Sequence, residues 1–339
     1  MKLQQIRYLL AIVDNDFNIT IAAENLYTSQ PGISKQIRML EDELGVQLFV
    51  RRGKRIAALT PAGERAVERG RRILQEVANI RGLADELRGD STGKLRLATT
   101  HTQARYVLPP VIRGFRGEHP DVVFDIHQGT SEQLAAMSNA GEVDFVIATS
   151  SESLFPELIR LPVYQWDRVL LVPEAHPLAR HESPPSLAEL ARHPLVTYIH
   201  SDRPESSLIR TFQTQGLAPD IAFTARDADV IKTYVRMGLG VGLVAAMAVE
   251  DGTDDDLVAI DARHLFPRLT TWIGFPKESL LRGYQMDFLN RLGPHLAPER
   301  IEQARQCDSQ AEVDALFADV KLPVETHLPA PPRRKLAGC

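Results

Sequence analysis

The chain has 339 residues, 44 % of them hydrophobic and 24 % charged, an ordinary globular composition that excludes wholesale disorder and a collagen-like repeat. At about 150 residues per domain the length allows two or three units. The net charge of −5, from 39 basic and 44 acidic side chains, speaks on its face against a nucleic-acid binder. The charge is unevenly spread, however: residues 1–90 carry 14 Lys/Arg against 12 Asp/Glu, whereas residues 91–289 carry 18 against 25. Between Arg51 and Arg72 eight cations face only Glu64 and Glu68. Cys307 and Cys339 are too few for a disulfide framework and suit a reducing compartment. No long apolar run follows Met1, and the stretch Met237–Val249 is too short for a bilayer and holds three glycines. A cytoplasmic protein without membrane contact is expected.

In chain order, Ile6, Leu9, Leu10 and Val13 recur at helical spacing and predict a first helix, ended by Asp14-Asn15-Asp16. A short second helix runs through Ala22, Ala23 and Leu26, with Thr20 as its candidate cap. Ser29 caps a third, with Pro31 in the first turn, Ile33, Ile37, Leu40 and Leu44 on the apolar face, and Gly45 at the end. Two helices joined by a short turn, behind a longer one, follow the helix-turn-helix plan. The outward face of the third carries short polar and cationic groups suited to base edges and phosphates. Ser29, Gln30, Pro31, Ser34, Lys35 and Arg38 are therefore candidate DNA contacts.

Residues 46–49 and 56–59 flank a basic tip. Taken alone such a tip is as readily a solvated loop. Behind a helix-turn-helix it reads as a wing along the phosphate backbone, with Arg51, Arg52, Lys54 and Arg55 as contacts. Thr60 then caps a long helix with Pro61 in its first turn and a stripe of Ala66, Ile73, Val77, Ile80, Leu83 and Leu87. A helix of ~25 residues spans ~38 Å, more than a small winged domain covers, so the stripe predicts a dimer seam. A dimer suits DNA with two half-sites.

The runs Ala22–Ile37, Leu40–Arg51 and Leu59–Gly63 resemble the signature of the LysR-type regulators, in a match that extends over roughly the first 290 residues. Beyond the polar break Asp90–Gly93, a candidate hinge, strands alternate with helices. Strands are expected at Leu95–Thr99, Val122–Ile126 and Val143–Ala148, with helices at about 102–118 and 131–140. A second series runs from Leu161 to about Ile260, and Leu269–Phe275 returns to the first lobe. Such alternation predicts mainly parallel sheets covered on both faces. The fold expected is α/β: a winged helix-turn-helix (1–60), a linker and dimerisation helix (61–90), and a two-lobed α/β effector domain resembling periplasmic binding proteins (91–295). A C-terminal extension (296–339) should be helical at first and unstructured through Leu328–Lys335.

Ligands of such sheets lie beyond the carboxyl ends of the strands. Thr100-His101-Thr102-Gln103 offers hydroxyls, an amide and backbone N–H groups to an anion, although simple capping of the next helix by Thr100 or Thr102 is the plainer reading. Thr149-Ser150 ends a strand toward the same cleft, and Gly129-Thr130-Ser131 precedes another helix. Residues 1–5, 99–106, 164–168, 176–178 and 224–236 resemble the CysB-type branch of the family. That resemblance implies an activator of sulfur assimilation, cysteine synthesis or sulfonate utilisation. Its effectors would be acetylserine, sulfate or a related sulfur anion, and its partners promoter DNA, RNA polymerase and further copies of the chain as a dimer or tetramer. By position it makes Thr100, Thr102, Gln103, Thr149 and Trp166 ligand contacts, although a tryptophan there is more often core packing than a ligand contact. The segment Thr197–Ser206 departs from the branch by carrying Asp202, Arg203 and Glu205, so the inducer can differ from acetylserine.

No HExxH, paired CxxC, P-loop or GxSxG motif is present. Gly238, Gly240 and Gly242 lack dinucleotide spacing and read as helix–strand packing, and the ten histidines form no cluster in sequence. No enzymatic activity, cofactor or metal is expected. The rival readings are an enzyme or solute-binding protein with a fused DNA-binding module, and a LysR-type regulator of another pathway.

Overall fold

The computed structural model describes residues 1–53, 55–87, 93–149, 151–181 and 183–325, except the side chains of 75, 78 and 81–87. The chain divides into two compact units. The first is built chiefly from α1 (Leu3–Asp14), α2 (Ile19–Asn25), α3 (Gln30–Leu44), the hairpin β1 (Phe49–Arg52) and β2 (Arg55–Leu59), and α4 (Pro61–Leu87). Ile6, Leu9 and Leu10 of α1, Ala22 and Ala23 of α2, and Ile33, Ile37 and Leu40 of α3 close one core with Leu48, Phe49, Ile56 and Val67. Ser29 caps α3 by accepting from the Gly32 N–H at 3.2 Å, and Gly45 ends it at φ 68°. The cap of α2 is Asn18 rather than Thr20: its Oδ1 accepts from Thr20 N at 3.1 Å and Ile21 N at 3.3 Å, which places Thr20 inside the first turn.

Glu41, 2 % exposed, ties α3 to the hairpin. Its Oε1 accepts from Leu48 N at 2.9 Å and Phe49 N at 3.2 Å, and its Oε2 from Arg51 Nη2 at 3.0 Å. The hairpin is in turn fastened to α4. The Thr60 hydroxyl donates to Gln47 O at 2.7 Å and accepts from Gly63 N at 3.0 Å, and Thr60 N donates to Leu48 O at 2.9 Å. A Cβ on Gly63 would overlap the Leu48 carbonyl oxygen.

The apolar stripe of α4 is only partly free for a partner. A Cβ on Gly70 would sit 3.0 Å from Ile6 Cγ2, so the bare glycine lets α4 lie directly on α1. Ala66, Ile73 and Leu74 consequently pack on the N-terminal core, which corrects the expectation that the whole stripe is a dimer seam. Ile80 is 66 % exposed; the side chains of Leu83 and Leu87 lie outside those described. Lys54 and the break at 90–92 also lie outside the described residues.

The second unit holds two sheets. In chain order it contains β3 (Gly93–Thr99), a π-helical turn (Gln103–Val107), α5 (Leu108–Glu118), β4 (Val122–Gln128), α6 (Ser131–Asn139), β5 (Phe145–Thr149) and β6 (Leu158–Trp166). Then follow β7 (Arg168–Pro173), α7 (Leu187–Leu190), β8 (Leu195–Tyr198), α8 (Ser207–Thr214), β9 (Ile221–Ala225), α9 (Ala228–Arg236), β10 (Val241–Ala245) and β11 (Leu257–Asp261). Last come β12 (Leu269–Pro276), α10 (Gly283–Leu292), α11 (Pro298–Gln306), α12 (Gln310–Leu316) and β13 (Val324–Glu325). The sheet of the first lobe runs β13-β6-β12-β5-β3-β4, that of the second β11-β7-β10-β8-β9. As expected, β12 returns to the first lobe, antiparallel between β5 and β6. Both sheets are mixed rather than mainly parallel, because each passage between lobes reverses the chain. The second lobe begins at Arg168, not at Leu161, since Leu158–Trp166 pairs with β12. The apolar runs on either side of Asp167 look alike in sequence and conceal this change of sheet.

The C-terminal extension docks on β6. Ile301, Ala304, Val313 and Phe317 are buried, and β13 pairs parallel to β6. The Gln310 side chain bonds Arg160 N at 3.0 Å and Arg160 O at 2.8 Å. The run Leu328–Lys335 lies outside the described residues. Among the described residues no helix is long and apolar enough to cross a membrane.

Replacing Glu41 by Ala strands two backbone N–H groups and a guanidinium. It is expected to lower the stability of the first unit by about 2–4 kcal/mol, seen as an earlier urea midpoint by circular dichroism, with Glu41→Gln intermediate. An unchanged midpoint would show that the buried carboxylate does not hold the hairpin.

Candidate functional site

On the N-terminal side, α3 buries Ile33 and Ile37 and thereby exposes Gln30, Lys35 and Arg38. Ser29 and Pro31 are exposed at its start, and Gln30 Nε2 donates to the half-buried Ser34 Oγ at 3.2 Å. On the hairpin Arg52 and Arg55 are exposed. Arg51 is engaged by Glu41 inside the fold, because a buried carboxylate requires a counter-charge. One residue was hidden from sequence reasoning: Tyr27, in the turn before α3, is 99 % exposed at φ 49°. An exposed ring beside a cationic helix face is a stacking group, and no periodicity signals it.

In the effector domain, Thr149 at the end of β5 is the centre of a network. Its Oγ1 accepts from Gln103 Nε2 at 3.3 Å and Trp166 Nε1 at 3.2 Å, and lies 2.6 Å from Thr271 Oγ1. With both lone pairs occupied, its proton is directed at Thr271. Thr100 Oγ1 bonds Gln103 Oε1 and fixes the amide orientation. Neither threonine caps a helix: Thr102 makes no cap bond and is buried beside Tyr198, and the Thr100 hydroxyl is used on Gln103. The plain capping reading is therefore set aside.

A cavity of about 700 Å³ opens against this network. Thr149 and Trp166 line it from the first lobe; Arg168, His200, Arg203, Ser207 and Arg210 line it from the second. Thr100, Thr102 and Gln103 are not on its wall: Gln103 and, through it, Thr100 back Thr149, and Thr102 meets Tyr198. Arg203 Nη2 pairs with Glu132 Oε1 of α6 at 2.6 Å, which bridges the lobes and neutralises part of the loop's charge. His200 is exposed and stacks on Tyr198 with ring centroids 5.2 Å apart. Ser150 lies outside the described residues.

Arg168 opens β7 and is 7 % exposed. Its Nη2 donates to Ser207 Oγ at 2.8 Å, while Nη1 is buried without a hydrogen-bond partner. The guanidinium lies 5.9 Å from the Trp166 ring centroid and 5.6 Å from that of Phe266. Burial pushes its pKa down to about 10. The adjacent Asp167 gives it no help, being gripped by Arg268 at 2.9 and 2.8 Å. Sequence reasoning passed over Arg168, because an arginine next to an aspartate reads as a local pair. The available signal was an arginine heading the wholly apolar run 169–172.

The π turn also faces the second lobe. Tyr106 OH donates to Asp229 Oδ1 at 2.7 Å, and Arg105 Nε pairs with Asp229 Oδ2 at 2.8 Å. Beneath them Lys232, 2 % exposed, donates to Asp254 Oδ2 at 2.8 Å and Ala248 O at 2.9 Å. The ligating atoms of His101, Asp227 and Asp229 lie within 4.8 Å of one another, a grouping that sequence spacing does not reveal. Asp227 caps α9 through Val230 N at 2.8 Å and Asp229 meets Arg105, whereas His101 Nδ1 is buried without a hydrogen-bond partner.

A winged helix-turn-helix joined to a two-lobed α/β domain, with a cationic cavity between the lobes, defines a ligand-responsive DNA-binding regulator. Residues 3–64 match the bacterial regulatory helix-turn-helix protein of the lysR family, and residues 88–297 match the LysR substrate binding domain. The chain belongs to the LysR family of transcriptional regulators. It is 46 % identical over 322 residues to the HTH-type transcriptional regulator CysB of Haemophilus influenzae, covering 95 % of this chain and 99 % of that one. It is 43 % identical over 296 residues to the HTH-type transcriptional regulator SsuR of Burkholderia cenocepacia, covering 87 % and 96 %. The solved cofactor-binding domain of the Cbl transcriptional regulator aligns at a TM-score of 0.60 and 40 % identity, over 64 % of this chain and 96 % of that one. The likeness to CysB therefore reaches past the first 290 residues expected and takes in most of the C-terminal extension.

Asp254→Asn leaves the buried Lys232 ammonium with only the more distant Asp229 carboxylate, 3.5 Å away, and is expected to destabilise the second lobe by about 3–5 kcal/mol. Burial alone would raise the Asp254 pKa, but Lys232, the Glu250 N–H and Arg236 hold it below the ordinary carboxylate range. The pair's contribution is thus complete above about pH 4 and is lost as pH falls further. Thermal melts across that range should fall more steeply for the wild type than for Asp254→Asn; parallel curves would refute the linkage.

Proposed function

We propose that this chain is a cytoplasmic regulator, acting chiefly as an activator, of genes for sulfur assimilation, cysteine synthesis or sulfonate utilisation. The observation that carries the reading is the 46 % identity to CysB over 95 % of the chain, joined to a cavity in which a buried cation lacks an anion. The protein binds promoter DNA as a homo-oligomer, a dimer or tetramer. Ser29, Gln30, Pro31, Ser34, Lys35 and Arg38 meet the groove, and Arg52, Lys54 and Arg55 the backbone, with Arg51 bracing the hairpin. The small basic surface makes binding dependent on salt. Acetylserine, sulfate or a related sulfur anion enters the cavity against Thr149 and Trp166, while Thr100, Thr102 and Gln103 hold that wall in place. Occupancy biases the DNA-binding arrangement, which requires the ligand to bind one arrangement more tightly than the other. RNA polymerase is the downstream partner.

Mobility-shift titrations on promoters of sulfur genes, with and without acetylserine and sulfate, test this. A ligand-dependent change in affinity, footprint or bending is expected, and its absence with every sulfur anion would move the protein to another pathway. Arg38→Ala should weaken DNA binding by about 1–3 kcal/mol and leave ligand-induced stabilisation intact. Thr100→Ala should do the reverse, and equal loss of both functions in either variant would count against the division of labour.

A further inference from the structure

Arg168 carries more than the network at Thr149 does. Of the arginines that line the cavity, Arg203 is matched by Glu132 and Arg210 is exposed, whereas Arg168 is buried and its Nη1 has no hydrogen-bond partner. Ser207 anchors the opposite edge, and the Trp166 and Phe266 rings flank the guanidinium. Asp167, the nearest acid in sequence, is held by Arg268. A guanidinium kept from water and denied a carboxylate gains its missing hydrogen bonds and counter-charge only from an anion that enters the cavity.

We propose that Arg168 is the charge-reading residue of the cavity, its guanidinium pairing with the acid group of a small organic anion while the remainder of that ligand meets the Thr149–Trp166 wall. Two recognition poles within about 700 Å³ suit a molecule of amino-acid-derivative size, with a carboxylate or sulfonate at one end and a hydrogen-bonding group at the other, rather than a lone inorganic ion. This rests on reading the cavity as the effector site.

Calorimetric titration of the full-length protein with acetylserine, its neutral amide, methanesulfonate and inorganic sulfate tests it, using wild type, Arg168→Met and Arg168→Lys. A charge-assisted hydrogen bond of about 1.5–3 kcal/mol corresponds to ~10–150-fold in affinity. The wild type should therefore prefer acetylserine over its amide by ~10-fold or more. Arg168→Met should lose that preference while binding the amide as the wild type does, and Arg168→Lys should regain part of it. Unliganded Arg168→Met should melt at or above the wild type, because an unmatched buried charge has been removed. Should Arg168→Met fail to fold, the wild-type anion-to-amide ratio and Arg168→Lys decide the matter. Equal wild-type affinity for acid and amide, sulfate binding as tightly as acetylserine, or full anion affinity in Arg168→Met each overturns the proposal. That last result would leave the effector reading standing, whereas a wild type that binds none of the anions would end both.

Discussion

The chain passes between its two α/β lobes twice, and both passages meet at the ion pair of Asp167 and Arg268. Asp167 lies between β6 and β7; Arg268 immediately precedes β12. The carboxylate is almost fully buried and receives both guanidinium nitrogens, and its backbone carbonyl accepts from Ala246 N at 2.9 Å. In an extended segment, alternate residues face opposite sides. Turning Asp167 toward Arg268 therefore turns Trp166 and Arg168 together toward the cavity. A slip of one residue would bury the acid in the cavity wall and expel the indole and the guanidinium. The site is a consequence of how the two passages are clipped together.

The same economy marks the π turn after β3. Gln103 reaches back to Thr149, while Arg105 and Tyr106, two and three residues on, reach across to Asp229. Wider π turns recur at functional positions because they rotate successive side chains out of helical register. Here the rotation lets five residues touch both the inner wall and the opposite lobe. The Thr149 network is thereby one turn away from a contact with the opposite lobe.

Much of this was legible from local chemistry. Ser29 and Gly45 bound α3 as caps do anywhere, Thr60-Pro61 starts α4, and the long ordered run Ala22–Arg51 identifies the head by itself. What escaped was whatever depends on partners distant in sequence. The stripe of α4 is apolar for two reasons, core and surface, and only the bare Gly70 against α1 separates them. The change of sheet at Asp167 is silent because strands of either lobe share one alphabet. On paper Arg168 follows an acid and Arg51 stands among cations; in the fold the first has lost its acid to Arg268 and the second has gained Glu41 from α3. Of the residues implied by family resemblance only Thr149 and Trp166 line the cavity, because resemblance ranks positions without ordering them in depth.

Gly63 has a mechanical consequence. Its missing side chain lets the start of α4 press against the Leu48 carbonyl, and Thr60 bolts the same spot from both directions. With Gly70 flush on α1, the first turns of the helix have no slack relative to the three helices behind them. The first turns of α4 thus move with α1 and the hairpin as one piece, so that a rotation of the helix at this end is a rotation of the whole head.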